Sequence, residues 1–142
     1  MSVGRILGID WGEKRVGLAL SDPMGMIASP LGKIEFKDTQ ALLAELERVV
    51  REKQVAEVVI GLPIRSSGQE GAQAVEVGKL AETLKARLGI PVHLCDERLT
   101  TAAAEKALLE SDMSRGKRKQ VRDQVAASLI LQCFLEMRRR GT

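Results

Sequence analysis

The sequence predicts an α/β domain built on a mixed five-stranded sheet flanked by helices, and three observations carry that expectation. Apolar runs of strand length crowd residues 6–36, as a three-strand antiparallel meander requires. Two further short apolar runs, Ala56–Pro63 and Ile90–Asp96, alternate with stretches of helical period. Glycine or proline punctuates most junctions. Strands in succession followed by strand–helix alternation give an α/β sheet with an antiparallel portion. One domain over residues 1–142 is expected, long enough to bury about two-thirds of its unfolded surface.

The first strand is the continuously apolar run Ile6, Leu7, Ile9, as a strand covered on both faces needs. It ends on Asp10, a carboxylate in a place where charge is costly. Gly12 allows a tight turn, Lys14 and Arg15 follow, and the second strand alternates large Val16, Leu18 and Leu20 with small Gly17 and Ala19. An ordinary hairpin in which Asp10-Trp11-Gly12 simply turns the chain is the competing explanation. Asp10-Trp11-Gly12 before a hairpin is also similar to the phosphate-binding turn of actin-like and sugar-kinase proteins, but those need two such domains and 142 residues are too few.

Met26–Phe36 forms the third strand, with Ile34 and Phe36 on one face, and Pro30 restricts it to a sheet edge or a break. Asp38 is an N-cap for a helix whose apolar face is Leu42, Leu43, Leu46, Val49 and Val50, with Glu47 and Arg51 as a surface pair. Ala56–Pro63 is a buried strand stopped by its proline. The loop Ile64–Gly71, with Ser66, Ser67 and Gly68 before a helix, could present N–H groups to a phosphate or be a plain serine-capped linker. The helix after it carries Val75, Val77, Leu80, Leu84 and Leu88 toward the core, Gly89 ends it, and the next strand reaches Asp96 and Glu97. His93 is expected to be a half-buried strand residue, because no second histidine or paired thiolate accompanies it.

Thr100 or Thr101 caps a helix running to about Leu109. A polar segment follows, in which Arg115, Lys117, Arg118, Lys119 and Arg122 gather five cations ahead of a last helix. Asp123 is placed in the first turn of that helix, with Ala126, Ala127 and Ile130 as the face that approaches the sheet. Arg138, Arg139 and Arg140 suit a helix C-terminus.

The formal net charge is +3 and the sequence pI is near 9.1, a mild basic excess. With no tyrosine, one tryptophan and two phenylalanines, an aromatic base-stacking platform is excluded, so nucleic acid would be held through phosphates and shape. Cys95 and Cys133 lie far apart in apolar segments and read as reduced core thiols. With no signal peptide and no long apolar run, a cytoplasmic protein without membrane association is expected.

Three acids from distant parts of the chain now come together: Asp10 and one of Asp96 and Glu97 at strand ends, and Asp123, brought toward them by the alanine face of the last helix. Neighbouring strand residues point to opposite faces, so a regular strand lets only one of Asp96 and Glu97 share the face of Asp10. Carboxylates without histidine or cysteine suit hard cations, Mg²⁺ or Mn²⁺, and two such ions support phosphodiester hydrolysis.

The motifs Gly8-Ile9-Asp10-Trp11-Gly12-Glu13-Lys14-Arg15-Val16-Gly17, Val59-Ile60-Gly61-Leu62-Pro63 with Gly68-Gln69-Glu70-Gly71, Asp96-Glu97-Arg98-Leu99-Thr100-Thr101 and Asp123-Gln124-Val125-Ala126-Ala127 resemble, in order, those of the YqgF or RuvX-like family. The resemblance implies a ribonuclease H-like fold. It also implies a metal-dependent nuclease acting on structured nucleic acid, either maturing the 5′ end of pre-16S ribosomal RNA or resolving Holliday junctions in branched DNA. By the same resemblance Asp10, Glu97 and Asp123 become the catalytic and metal-binding acids, holding Mg²⁺ or Mn²⁺ as a pair of ions, and Glu97 is preferred to Asp96. Lys14, Arg15, Arg65, Arg98, Arg115, Lys117, Arg118, Lys119 and Arg122 are the expected nucleic-acid contacts. The loop Arg65–Ser67 departs from the family's polar pattern, and Phe134 stands where a tyrosine is common. The protein would act as a monomer or homodimer, a resolvase requiring the two-fold dimer. A non-catalytic nucleic-acid-binding domain is the rival from another class.

Overall fold

The structure is a computed structural model that describes residues 4–12, 14–62, 69–96 and 115–140, with the backbone alone at 62, 69–74, 96, 115–125 and 139–140. Its strands are β1 (Arg5–Asp10), β2 (Arg15–Ser21), β3 (Ala28–Glu35), β4 (Val55–Leu62) and β5 (Val92–Asp96). Its helices are α1 (Thr39–Glu52), α2 (Gln69–Leu88) and α3 (Arg115–Arg140). The expected helix between Thr100 and Leu109 and the phosphate loop at Ser66 and Ser67 lie outside the described residues.

The five strands form one sheet in the order β3-β2-β1-β4-β5. β1 pairs antiparallel with β2 and parallel with β4, β2 pairs antiparallel with β3, and β4 pairs parallel with β5. This is the meander plus two further strands that the apolar pattern predicts, with the first strand, which carries Ile6, Leu7 and Ile9, at the centre. β3 is an edge, and its register shifts where Ala19 faces Pro30, the residue that cannot donate to a ladder.

The strand period sorts the core into two layers. Leu7, Ile9, Val16, Leu18, Val58 and Ile60 pack with Leu42, Leu43, Leu46 and Val49 of α1 and Val77, Leu80, Ala81 and Leu84 of α2. On the other face Ile6, Ala19 and Val59 pack with Ala127, Ile130, Leu131 and Leu135 of α3. The large and small positions of β2 therefore face different helices, as their alternation implies.

Asp38 caps α1, its side chain accepting from the Ala41 N–H at 2.8 Å. Glu47 does not serve Arg51 as a surface partner; it pairs with Arg87 of α2, because its position on α1 turns it toward the neighbouring helix. α2 begins at Gln69, so the expected loop is shorter than Ile64–Gly71. Val75 is 56% exposed rather than in the core, since a step of two residues to Val77 is about 200° around a helix, whereas Val77, Leu80, Ala81 and Leu84 share one stripe. Gly89 ends α2 in the left-handed region, φ 67°, and its N–H reaches the Lys85 carbonyl at 3.0 Å.

The last helix differs most from expectation. It starts at Arg115, so the basic segment Arg115–Arg122 is helical and Asp123 sits in the third turn instead of the first. The run contains neither proline nor internal glycine beyond Gly116, and Lys, Arg and Gln are good helix formers, so nothing local stops the helix. Cys95 and Cys133 are unbridged, as expected, but only half-buried.

Candidate active site

The parallel strands β1, β4 and β5 end together: Asp10 lies opposite Gly61, Gly61 opposite Cys95, and Leu62 opposite Asp96. Ligand chemistry in open α/β sheets collects beyond such carboxyl ends. Asp10 is half-buried there and is engaged in an interaction. It follows Ile6 and Gly8 on the face covered by α3.

Gly8 sets how closely α3 approaches. A Cβ built on Gly8 would stand 2.8 Å from the Leu131 Cβ and 3.1 Å from the Ala127 carbonyl oxygen, so only glycine lets the helix backbone lie against the strand. Asp123 belongs to α3 four residues, one turn, before Ala127. At the turn leaving Asp10, a Cβ on Gly12 would collide with the Arg15 carbonyl oxygen, which fixes glycine at that position.

Of the expected phosphate contacts, Lys14 is exposed in the β1–β2 turn, where its carbonyl accepts from the Phe36 N–H at 3.0 Å. Arg15 opens β2 opposite Glu35 and is already engaged in an interaction. Arg115, Lys117, Arg118, Lys119 and Arg122 belong to α3 by their backbone. Glu97, Arg65 and Arg98 lie outside the described residues. Among the described residues no three carboxylate, imidazole or thiol groups cluster closely enough to hold an ion.

Sequence reasoning missed a cluster at the opposite end of the sheet. Glu57 of β4, whose side chain is 13% exposed, accepts from both terminal nitrogens of Arg138 at 2.6 Å, and its Oε1 lies 3.0 Å from His93 Nε2. The Arg138 guanidinium lies 4.8 Å from the centre of the Phe134 ring, whose centroid is 5.0 Å from that of His93. The Arg138 bonds, helped by His93 and opposed by burial, hold the Glu57 carboxyl below the usual glutamate range. The signal was a glutamate at position 57 in an otherwise apolar strand. His93 is thus the half-buried strand residue expected, with a carboxylate partner.

Strand order and helix placement give the ribonuclease H-like class of fold, in which the RuvC-like resolvases fall. Thermus thermophilus RuvC, solved in complex with a Holliday junction substrate, has a similar fold with a TM-score of 0.62 at 15% identity, over 96% of each chain. The fowlpox virus Holliday junction resolvase matches with a TM-score of 0.56 at 13% identity, over 94% of this chain and 99% of that one.

Sequence narrows the class. The model of the RuvX family, described as Holliday junction resolvase, matches residues 4–137, and the chain belongs to this family. A Moorella thermoacetica protein named "Putative pre-16S rRNA nuclease" is 50% identical over 132 residues, 93% of this chain and 94% of its own. Proteins of the same name from Dictyoglomus thermophilum and Clostridioides difficile are 47% and 45% identical, covering 93% and 95% of this chain and 95% and 96% of theirs.

Proposed function

We propose that this protein is a divalent-metal-dependent nuclease that processes the 5′ end of pre-16S ribosomal RNA. The observation that carries the reading is Asp10 at the carboxyl end of the central strand, on the face where Gly8 admits the helix that contains Asp123, in a chain whose relatives at 45–50% identity bear that name. Asp10, Glu97 and Asp123 form the acidic set. Glu97 is favoured over Asp96 by its place in the family's motif Asp96-Glu97-Arg98-Leu99-Thr100-Thr101.

The donor set is of oxygen type, and the lone histidine is committed to Glu57 at the far end of the sheet, so the residues fit a hard cation such as Mg²⁺ or Mn²⁺. Asp10, Glu97 and Asp123 would hold the ions. When bound, such ions supply an activated water and neutralise the departing oxygen of a phosphodiester. Lys14, Arg15, Arg65, Arg98 and the cations of Arg115–Arg122 would hold phosphates and orient the backbone. No helix among the described residues is long and apolar enough to cross a membrane, and the reading puts the activity in the cytoplasm, on structured RNA.

Resolution of branched DNA is the second reading, favoured by the family's description. One assay separates the two: a precursor ribosomal RNA 5′ segment and a four-way DNA junction are offered, with Mg²⁺ or Mn²⁺, to wild type and Asp10→Asn. Metal-dependent cutting of the RNA, lost in the variant, is expected. Cutting of the junction alone selects the second reading, and tight binding without cleavage under any metal makes the protein a non-catalytic binding module.

A further inference from the structure

We infer that Gln132 and Arg138 are positioning residues that fix the axial register of α3 on the sheet, and through it the placement of Asp123 against Asp10; this rests on the acidic site proposed above. α3 meets the sheet through an apolar stripe, Ala126, Ala127, Ile130, Leu131 and Leu135. Apolar burial is non-directional, so such a stripe sets which face of the helix is covered better than it sets how far along its axis the helix sits. Directional bonds fix that coordinate.

Gln132 and Arg138 of α3 supply such bonds, on either side of central β1. Gln132 accepts from the Ala28 N–H at 3.0 Å and donates to the Met26 carbonyl at 3.3 Å, at the start of edge strand β3. Arg138 makes the two 2.6 Å bonds to Glu57 of β4, backed by the Phe134 ring. The planar fork admits one geometry, and Gln132 uses both ends of its amide.

A slip of one residue moves a helix by about 1.5 Å and turns it by about 100°. A misplacement on the order of 1 Å at a reacting centre can cost about 100-fold in rate. The two pins thus govern a carboxylate that lies nine and fifteen residues before them on the same 26-residue helix.

The test uses Gln132→Leu, Arg138→Met and the pair together in the full chain. Spin labels at Glu35→Cys and Glu136→Cys, with Cys95→Ser and Cys133→Ser, report the offset of α3 from the sheet; Mn²⁺ affinity is read separately from the signal of the free ion. Because both pins hold one coordinate, each single variant should keep a narrow distance distribution and lose less than about 3-fold in Mn²⁺ affinity. The pair should broaden the distribution and lose at least about 10-fold, and should cause no further loss in an Asp123→Asn background. A narrow distribution in the folded double variant overturns the inference, as does an equal loss of affinity without Asp123. A broadened distribution with Mn²⁺ affinity unchanged would uphold the pinning of the helix and refute its link to the acids, which is the failure of the proposed site.

Discussion

Gly8 and Ala127 touch across the interface of β1 and α3, the space for a Cβ on the glycine being taken by the Ala127 carbonyl oxygen and the Leu131 Cβ. The Gly8→Ala variant must therefore lift the helix. Overpacking of this kind costs about 1–3 kcal/mol. The midpoint of urea unfolding should fall accordingly, and cleavage should fall by more than the loss of folded protein explains, because the lift separates the elements that carry Asp10 and Asp123.

Glu57 makes stability depend on pH. Its carboxyl is held below the ordinary value first by Arg138, so it contributes stability that is fully present above the ordinary glutamate value and is lost as pH falls through the lower folded value. Wild type should lose stability on acidification in that window more steeply than Glu57→Gln, and melting curves from pH 7 to pH 3 measure the difference. At pH 7 the glutamine variant should be less stable by about 1.5–3 kcal/mol, the worth of hydrogen bonds to a charged group.

Asp10→Asn should fold as wild type does and lose at least about 100-fold in metal-dependent cleavage, since loss even of outer partners of a metal costs about 10–100-fold. Single-turnover rates at saturating Mg²⁺ check it; undiminished cleavage would refute the assignment.

Neutralising Lys117, Arg118 and Lys119 should weaken substrate binding and flatten its salt dependence. Each lost phosphate contact lowers the slope of log affinity against log salt by about 0.7–0.9. An unchanged slope would show that these cations face solvent.

Asp38→Ala should cost about 1 kcal/mol by leaving the Ala41 N–H without its cap, with cleavage unaltered below the melting transition. It serves as a control for stability loss remote from the acids.

The features legible in the sequence were those with local causes. Pro30 marked an edge strand because a missing N–H is a property of one residue, and Asp38 marked a helix start because capping spans three. Asp10 stood out as a charge ending an apolar run. What misled was decided by neighbours distant in sequence. Glu47 looked equally suited to Arg51 until α2 brought Arg87 beside it. Val75 was assigned by composition where the stripe required Val77 and Leu80. Charge made Arg115–Arg122 look like a loop, although its residue types favour helix. The Glu57–Arg138 pair joins residues of β4 and α3 that no local pattern connects.

The close approach of Gly8 to Ala127 also sets the order of events at the ribosome. The two residues are 119 positions apart, so the strand emerges well before the helix that covers it. At about 5–20 residues per second the interval is roughly 6–24 s. Throughout it Ile6, Ala19 and Val59 lack their cover, the kind of exposed apolar surface that makes folding intermediates prone to aggregate. Synthesis of the closing helix, rather than formation of the meander, is the step that covers this face of the sheet.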